Sequence, residues 1–233
     1  CFFGTDPHGF LIGTLDGEPV GCISAVGYDP TFGFVGFYIV RPEYRGRGFG
    51  LQIWKQAMSQ FGNRNIGLDG VVLQQENYKK SGFQLAYRNV RYEGVAEGKL
   101  SDDVTEIAKI PFDELVSYDK RFFPVARPQF LKCWIKQPES LALAVREHGR
   151  ISGYGVIRTC RKGFKIGPLF AEDSLVAEKL FQSLTSFTRR QPVYLDISEV
   201  NPAARQLVQQ YGMKKIFETA RMYTKQSPNL PIE

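Results

Sequence analysis

The chain carries the same succession of apolar segments and glycine turns twice, and this internal repeat restricts the fold more than any other feature. Residues 11–25, two apolar segments around a glycine turn, recur as residues 141–157 around a second glycine turn. Asp69 recurs at the corresponding place as Asp196. Because each copy contains both strand-like and helix-like periodicity, the repeat predicts two copies of one α/β unit with a mixed sheet.

We expect the two units to occupy residues 1–98 and 99–233 of the 233-residue chain. Residues 95–103 carry glycine, serine and acidic side chains, a composition typical of a linker. Two helix-like segments, at about residues 112–122 and 128–136, precede the second copy, and the first copy has no counterpart to them. The first unit is therefore expected to be clipped at its N-terminus. A hydrophobic content of 43% is enough for two cores.

The rare residues argue against several classes of enzyme. The four cysteines lie far apart with no C-x-x-C pair, which argues against a zinc site or a dense disulfide framework and fits the cytoplasm. There are only two histidines and no G-x-S-x-G motif, so a serine hydrolase is not expected. No metal is predicted. No apolar run approaches the roughly 20 residues of a membrane helix, so no membrane partner is expected.

The net charge is +6, and most of the excess lies in the second half. An excess of this size suits a small anionic ligand or a weak contact with a polyanion. We expect the densest cluster of basic residues to be a solvated hairpin loop. Nucleic-acid binding is not predicted, because the sequence contains no recognisable nucleic-acid-binding motif. This cluster consists of Arg158, Arg161, Lys162 and Lys165.

A glycine-rich turn at residues 45–50, Arg-Gly-Arg-Gly-Phe-Gly, stands between a strand-like segment and an amphipathic helix. Glycines let consecutive backbone N–H groups approach an anion, and the start of the following helix adds its dipole and unpaired donors. The spacing matches neither a P-loop nor the dinucleotide G-x-G-x-x-G pattern. These features predict a pyrophosphate cradle.

The segment from Val40 to Gly50 resembles the coenzyme A motif of the GNAT acetyltransferase superfamily, R/Q-x-x-G-x-G/A. A second signature downstream, from Tyr78 to Gly82 and Phe83, is similar to that superfamily's Tyr-x-x-x-Gly-Phe helix end. The resemblance covers almost the whole chain, because the second copy has the same outline. It implies a tandem protein of two GNAT-like domains, the first of which transfers the acetyl group of acetyl-CoA to an amine.

The resemblance also implies roles for individual residues. Tyr78 matches the tyrosine that protonates the departing thiolate in many members. The base is less defined: Asp69 lies on the strand facing the cleft and Glu43 lies beside the phosphate loop, while a water chain is a third route. The residues expected to bind acetyl-CoA are Tyr38, Ile39, Val40, Arg45, Gly46, Arg47, Gly48, Phe49, Gly50 and Asn77.

The second copy departs from the family pattern. Its corresponding turn lacks the glycines and carries Glu172 and Asp173, which would repel a pyrophosphate, although acidic residues stabilise a helix start. Val208 stands where the first copy has Tyr78. We expect this domain to be degenerate and not to bind coenzyme A in the usual way.

The acceptor is implied only as an amine of a small molecule or a peptide, and a homodimer is left open. The competing interpretation is an acyl-CoA-binding sensor or scaffold without turnover.

Overall fold

In the computed structural model, which describes residues 1–231, the chain forms two compact units. Unit 1 comprises Cys1–Ala86 and Ala220–Pro228, and unit 2 comprises mainly Tyr87–Thr219. The first elements in chain order are α1 (Phe2–Thr5), β1 (Phe10–Leu15), β2 (Glu18–Gly27), β3 (Phe32–Val40), α2 (Phe49–Ser59), β4 (Asn65–Val71), α3 (Gln75–Lys80) and β5 (Gln84–Val95). The later elements are β6 (Val104–Glu106), α4 (Phe112–Asp119), α5 (Pro128–Trp134), β7 (Ser140–Glu147), β8 (Arg150–Thr159), β9 (Phe164–Ala171), α6 (Ser174–Thr185), β10 (Pro192–Ser198), α7 (Pro202–Gln210) and β11 (Lys214–Tyr223).

The chain passes from unit 1 to unit 2 within β5 and returns within β11. The predicted division at residues 98 and 99 assumed that each unit is one continuous piece of chain. The compact units of the structure are not continuous, because the last strand of the second sequence repeat ends in unit 1. Ala220 and Met222 of β11 are fully buried in the unit 1 core.

In unit 1 the strand order is β1-β2-β3-β4, followed by the final residues of β11. Strands β1, β2 and β3 are antiparallel, whereas β3 and β4 are parallel, so the expected mixed sheet is confirmed. Asp16 and Gly17 join β1 to β2 with φ of 52° and 86°. Two positive φ values in a two-residue loop match the right-handed twist of the flanking strands.

The unit 1 core lies between this sheet and the apolar face of α2. Ile53, Trp54 and Ala57 of α2 are buried at helical spacing. Phe61, just beyond the helix, is 1% exposed and packs in the same cluster. A Cβ at Gly33 would lie 2.3 Å from the Phe61 ring. The ring can therefore pack against β3 at this point only because Gly33 has no side chain.

In unit 2 the strand order is β5-β10-β9-β8-β7-β6, with β11 on the other side of β5. Helix α6 covers one face, where Gly153 and Gly155 of β8 leave room for Val176, Leu180 and Leu184. The two helices expected before the second copy are present as α4 and α5, which end earlier than predicted. In unit 1 the only α-helix before β1 is the four-residue α1.

We expect Gly33→Ala to lower the free energy of unfolding by about 1–3 kcal/mol, because the new methyl group overlaps the buried Phe61 ring. Denaturant unfolding of the purified protein measures this. Gly4→Ala is the control, since no atom lies within 4 Å of its Cβ position and the change should stay within about 0.5 kcal/mol. Equal effects of the two substitutions would contradict this packing.

Candidate active site

The glycine-rich turn of unit 1 leaves the start of α2 open. Gly46 and Gly48 have φ of 72° and 84°, a region that favours glycine, and no atom lies within 4 Å of either Cβ position. Gly48 is the N-cap of α2, no side chain of residues 1–231 caps the helix, and its first turn holds no acidic residue. The first N–H groups of the helix therefore keep donors for an anion.

Two arginines beside this turn carry charge that no carboxylate of the described residues neutralises. The Arg45 Nε donates to the Val40 carbonyl at 2.9 Å, which fixes its side chain at the end of β3. The Arg47 guanidinium lies over the Tyr44 and Phe49 rings, 5.6 and 5.1 Å from their centroids. Both cations remain available to a phosphate.

Glu43 lies in the short 3-10 turn before the glycines and is half exposed. Its carboxylate forms an ion pair with Arg41. The Arg41 guanidinium also donates to the Pro19 carbonyl at 3.1 Å, so it ties the turn to the start of β2. Through its ion pair with Arg41, Glu43 therefore helps to hold the 3-10 turn against β2.

Strands β3 and β4 separate before either of them ends. Their parallel pairing runs only as far as Val35 and Leu68, although β3 continues to Val40 and β4 to Val71. Phe37, just past the last pair, has a φ of 49°, which is unusual for a non-glycine residue and marks an irregular point in the strand. A gap therefore opens between the two strands on the side of the glycine-rich turn.

Backbone donors of β3 face this gap. The Arg41 N–H donates to Val20 on β2, and the N–H groups of an extended strand alternate between its two edges. The N–H groups of Tyr38 and Val40 consequently lie on the gap side. Ile39 is paired with Cys22 on β2, and its side chain is exposed.

An aromatic cluster lines the floor of the site. The Trp54 ring lies 5.4 Å from Tyr38, 5.7 Å from Tyr78 and 5.9 Å from Phe83, measured between centroids. The amphipathic pattern after the glycine-rich turn places Trp54 on the apolar face of α2. Helical periodicity marks it as a core residue, and no signal in the sequence shows which neighbours it meets.

Two glycines make room for the tyrosines of this cluster. A Cβ at Gly50 would lie 2.7 Å from the Tyr38 hydroxyl oxygen, and a Cβ at Gly70 would lie 2.3 Å from the Tyr78 ring. The third glycine of the turn therefore serves a different purpose from Gly46 and Gly48, since it admits Tyr38 beside the start of α2.

Tyr78 is held by the way α3 ends. The Phe83 N–H donates to the Tyr78 carbonyl at 3.1 Å, and the Gly82 N–H donates to the Lys79 carbonyl at 2.9 Å, with a φ of 86° at Gly82. This pair of bonds is the Schellman motif, in which the side chains of Tyr78 and Phe83 come into contact. The Tyr-x-x-x-Gly-Phe spacing thus has a direct structural cause.

The Tyr78 phenol stays protonated near neutral pH. Burial raises the pKa of Tyr78 above its ordinary value, and the nearby Tyr38 raises it further. Burial also raises the pKa of Tyr38. Within residues 1–231 the Tyr78 hydroxyl has no hydrogen-bond partner, so its proton is available to a bound molecule.

Asp69 is engaged by a guanidinium. Arg221 Nε and Nη2 donate to its two carboxylate oxygens, both at 2.7 Å. Unit 2 repeats the arrangement, where Arg91 donates to Asp196 at 2.6 and 2.9 Å. Because the same bidentate pair occurs in both units, the carboxylate of Asp69 has a structural task, which weighs against its expected role as base.

Asn77 precedes Tyr78 on α3, but its side chain makes a local contact on that helix. Its side chain is exposed on α3, where its Nδ2 donates to Gln74 at 2.7 Å. Unit 1 therefore gathers the glycine-rich turn, the free edge of β3 and Tyr78 around one gap. No observation connects Asn77 to that gap.

The corresponding place in unit 2 is closed to an anion. Asp173 caps α6, and its Oδ1 accepts from the Val176 N–H at 2.8 Å. Glu172 adds a second carboxylate, paired with Arg121. Val208 occupies the Tyr78 position in a matching Schellman motif, since the Met213 N–H donates to its carbonyl at 2.9 Å.

Two further properties bear on the chemistry. Among the described residues, no group of three or more His, Cys, Asp or Glu side chains could hold a metal ion. No helix of residues 1–231 is long and apolar enough to cross a membrane.

Comparison with known proteins identifies the family of both halves. Residues 1–83 match the model of the acetyltransferase (GNAT) family, and residues 115–233 match that of an acetyltransferase (GNAT) domain. Holothin acyltransferase of Pseudoalteromonas sp. is 31% identical over 230 residues, which cover 97% of this chain and 78% of the relative. The uncharacterized N-acetyltransferase YitH of Bacillus subtilis is 24% identical over 83% of this chain and 71% of its own length.

Solved structures agree with these matches. A crystal structure from Pyrococcus horikoshii, assigned as an acetyltransferase, has a TM-score of 0.86 and 27% identity, covering 99% of this chain and 78% of that one. A tandem GNAT protein from the clavulanic acid biosynthesis pathway shares the fold, with a TM-score of 0.65 at 12% identity, over 94% of this chain and 85% of its own. The chain therefore belongs to the GNAT family of acyltransferases, as a tandem member with one GNAT domain in each half.

Proposed function

We propose that unit 1 transfers the acetyl group of acetyl-CoA to an amine. The observation that carries this proposal is the uncapped start of α2, which the glycine-rich turn opens to an anion. Arg45 and Arg47 supply the charge that a pyrophosphate needs at such a helix terminus. The same place in unit 2 is capped by Asp173, so the donor belongs to unit 1.

The gap between β3 and β4 can hold the part of acetyl-CoA that lies between its pyrophosphate and its acetyl group. N–H groups of Tyr38 and Val40 face the gap and are available to an extended amide-containing chain, as in the addition of a strand to a sheet edge. Acetyl-CoA supplies the reaction with an activated acetyl thioester. A backbone N–H at this free edge can stabilise negative charge on the thioester oxygen.

Tyr78 is the residue that we assign as general acid. Its hydroxyl is protonated, has no hydrogen-bond partner within residues 1–231, and belongs to the aromatic cluster on the floor of the site. As the bond between acyl carbon and sulfur breaks, the phenol gives its proton to the thiolate and later regains one from solvent.

The proton of the attacking amine leaves through water in this proposal. Asp69 is bound by Arg221 and Glu43 by Arg41, so both predicted bases are already engaged. An ordered or solvent water accepts the proton without either carboxylate.

The acceptor is an amine of a small molecule or a peptide. The name of the Pseudoalteromonas relative supports acyl transfer and makes holothin the first acceptor to test. A cytoplasmic location, like the acceptor class, remains a prediction from the sequence.

Arg47→Glu should weaken acetyl-CoA binding by about 10- to 100-fold, because the substitution replaces a charge-assisted contact with a repulsive one. Isothermal titration calorimetry measures the effect. Arg161→Glu makes the same charge change in unit 2 and should leave binding unchanged. Binding that survives Arg47→Glu but not Arg161→Glu would place the donor in unit 2.

Tyr78→Phe should lower kcat by about 100-fold or more while KM for acetyl-CoA changes little, since the ring contacts remain and only the proton donor is lost. The phenol carries its proton below its raised pKa and loses it above, so the fall in wild-type kcat that deprotonation of Tyr78 causes should lie at alkaline pH. This decline should be absent in Tyr78→Phe. An unchanged kcat would remove Tyr78 from the mechanism, and acetyl-CoA binding without any turnover would favour the sensor.

Asp69→Asn and Asp196→Asn form a matched pair of substitutions. Each should lower stability by about 1 kcal/mol, as expected for a half-exposed ion pair, and neither should change kcat more than a few-fold. Thermal unfolding and steady-state kinetics on both variants test this. A loss of kcat above 100-fold in Asp69→Asn alone would restore Asp69 as the base.

A further inference from the structure

Unit 2 gathers positive charge on the face of its sheet that does not carry α6. Arg158 on β8 and Lys165 on β9 lie directly opposite each other in the antiparallel register. Lys165 Nζ lies 2.6 Å from Asp196, and the same carboxylate accepts two bonds from Arg91. The predicted hairpin-loop cluster is thus only partly a loop, because Arg158 and Lys165 lie within strands.

The cluster holds more cations than its carboxylates neutralise. Asp196 is shared by Arg91 and Lys165, while Glu93, the next carboxylate, contacts Lys162 at 3.7 Å and the Tyr194 hydroxyl at 3.2 Å. Arg158 has no carboxylate partner among the described residues. Like charges directly opposite on neighbouring strands are destabilising, so an arrangement of this kind favours an anion that bridges them.

Partial burial of Lys165 makes the excess of positive charge more unfavourable. Only 23% of the Lys165 side chain is exposed. Burial lowers the pKa of Lys165, and the charges of Arg91 and Arg158 lower it further, against the opposing effect of Asp196. A bound anion would relieve both the repulsion and the cost of burying the ammonium group.

An aromatic side chain contacts Arg158, and a buried hydroxyl lies farther along β10. The Arg158 guanidinium lies over the Trp134 ring at 5.4 Å, and the Trp134 indole N–H donates to the Gly167 carbonyl at 2.8 Å. Ser198 lies two residues from Asp196 on the same face of β10, and its Oγ is buried with no hydrogen-bond partner among the described residues.

Unit 1 lacks this cluster at the equivalent position. Lys165 is paired with Tyr194, two residues before Asp196, just as Phe34 is paired with Gly67, two residues before Asp69. Where unit 2 has the Lys165 ammonium, unit 1 has the Phe34 ring beneath Arg221. The added cation is therefore a property of the second repeat and is not part of the shared fold.

We infer that unit 2 binds a compact oxyanion, a carboxylate or a phosphate, between Arg158 and Lys165. The two side chains approach the anion from neighbouring strands, and Trp134 holds the Arg158 guanidinium in place. This site is separate from the glycine-rich turn and does not depend on the proposed acetyl transfer.

NMR titration of the full ¹⁵N-labelled chain tests the site, with potassium phosphate and potassium acetate as probes at constant ionic strength against potassium chloride. The chain has two tryptophans, so the Trp134 indole signal reports on this site and the Trp54 signal on the turn of unit 1. We expect a saturable shift of Trp134 with a Kd of about 1–10 mM. The stronger probe identifies the anion as phosphate or carboxylate.

Lys165→Gln and Arg158→Gln should each weaken this response at least 10-fold, whereas Lys162→Gln, which removes a nearby exposed cation, should leave it unchanged. Lys165→Arg keeps the charge and should keep the response, which separates lost binding from lost folding. The inference fails if neither anion gives a saturable shift, if chloride gives the same shift, or if Lys162→Gln weakens binding as much as Lys165→Gln.

Discussion

The early separation of β3 and β4 is the constraint on which the proposed donor site depends. Parallel pairing stops at Val35 and Leu68, and both strands then continue without each other. In a regular sheet the backbone N–H groups on this edge of β3 would be paired with the neighbouring strand. In the described part of the chain they stay unpaired along the edge of β3, and the gap leads to the start of α2. A sheet paired along its whole length would have no gap for the donor in the proposed reaction.

The two units differ at the place of the proposed donor site in only a few residues. Gly48 and Asp173 both stand at a helix N-cap, yet the first leaves the helix donors open and the second occupies one of them. The two Schellman motifs likewise place Tyr78 and Val208 at the same backbone position. The two units therefore differ at these positions in side chains, while the backbone framework is retained.

The sequence carries enough information for the mixed fold, the tandem repeat and the glycine-rich turn, because glycine spacing and apolar periodicity act locally. The partners of Asp69 could not be derived from local pattern, since Arg221 lies far along the chain. The contacts of Trp54 could not be predicted either, because helical periodicity indicates that a residue is buried but not which residues it packs against. The compact units also differ from the expected domains, because a linker composition near residue 98 does not show that β11 returns to unit 1.

That return of β11 has a consequence for biosynthesis. Ala220 and Met222, two fully buried residues of the first core, are translated only after all of Tyr87–Thr219. While the ribosome adds the second domain, the nascent first sheet retains an unpaired edge along β4. A natural split or a gene fusion within this protein would consequently have to carry the last strand with the first domain.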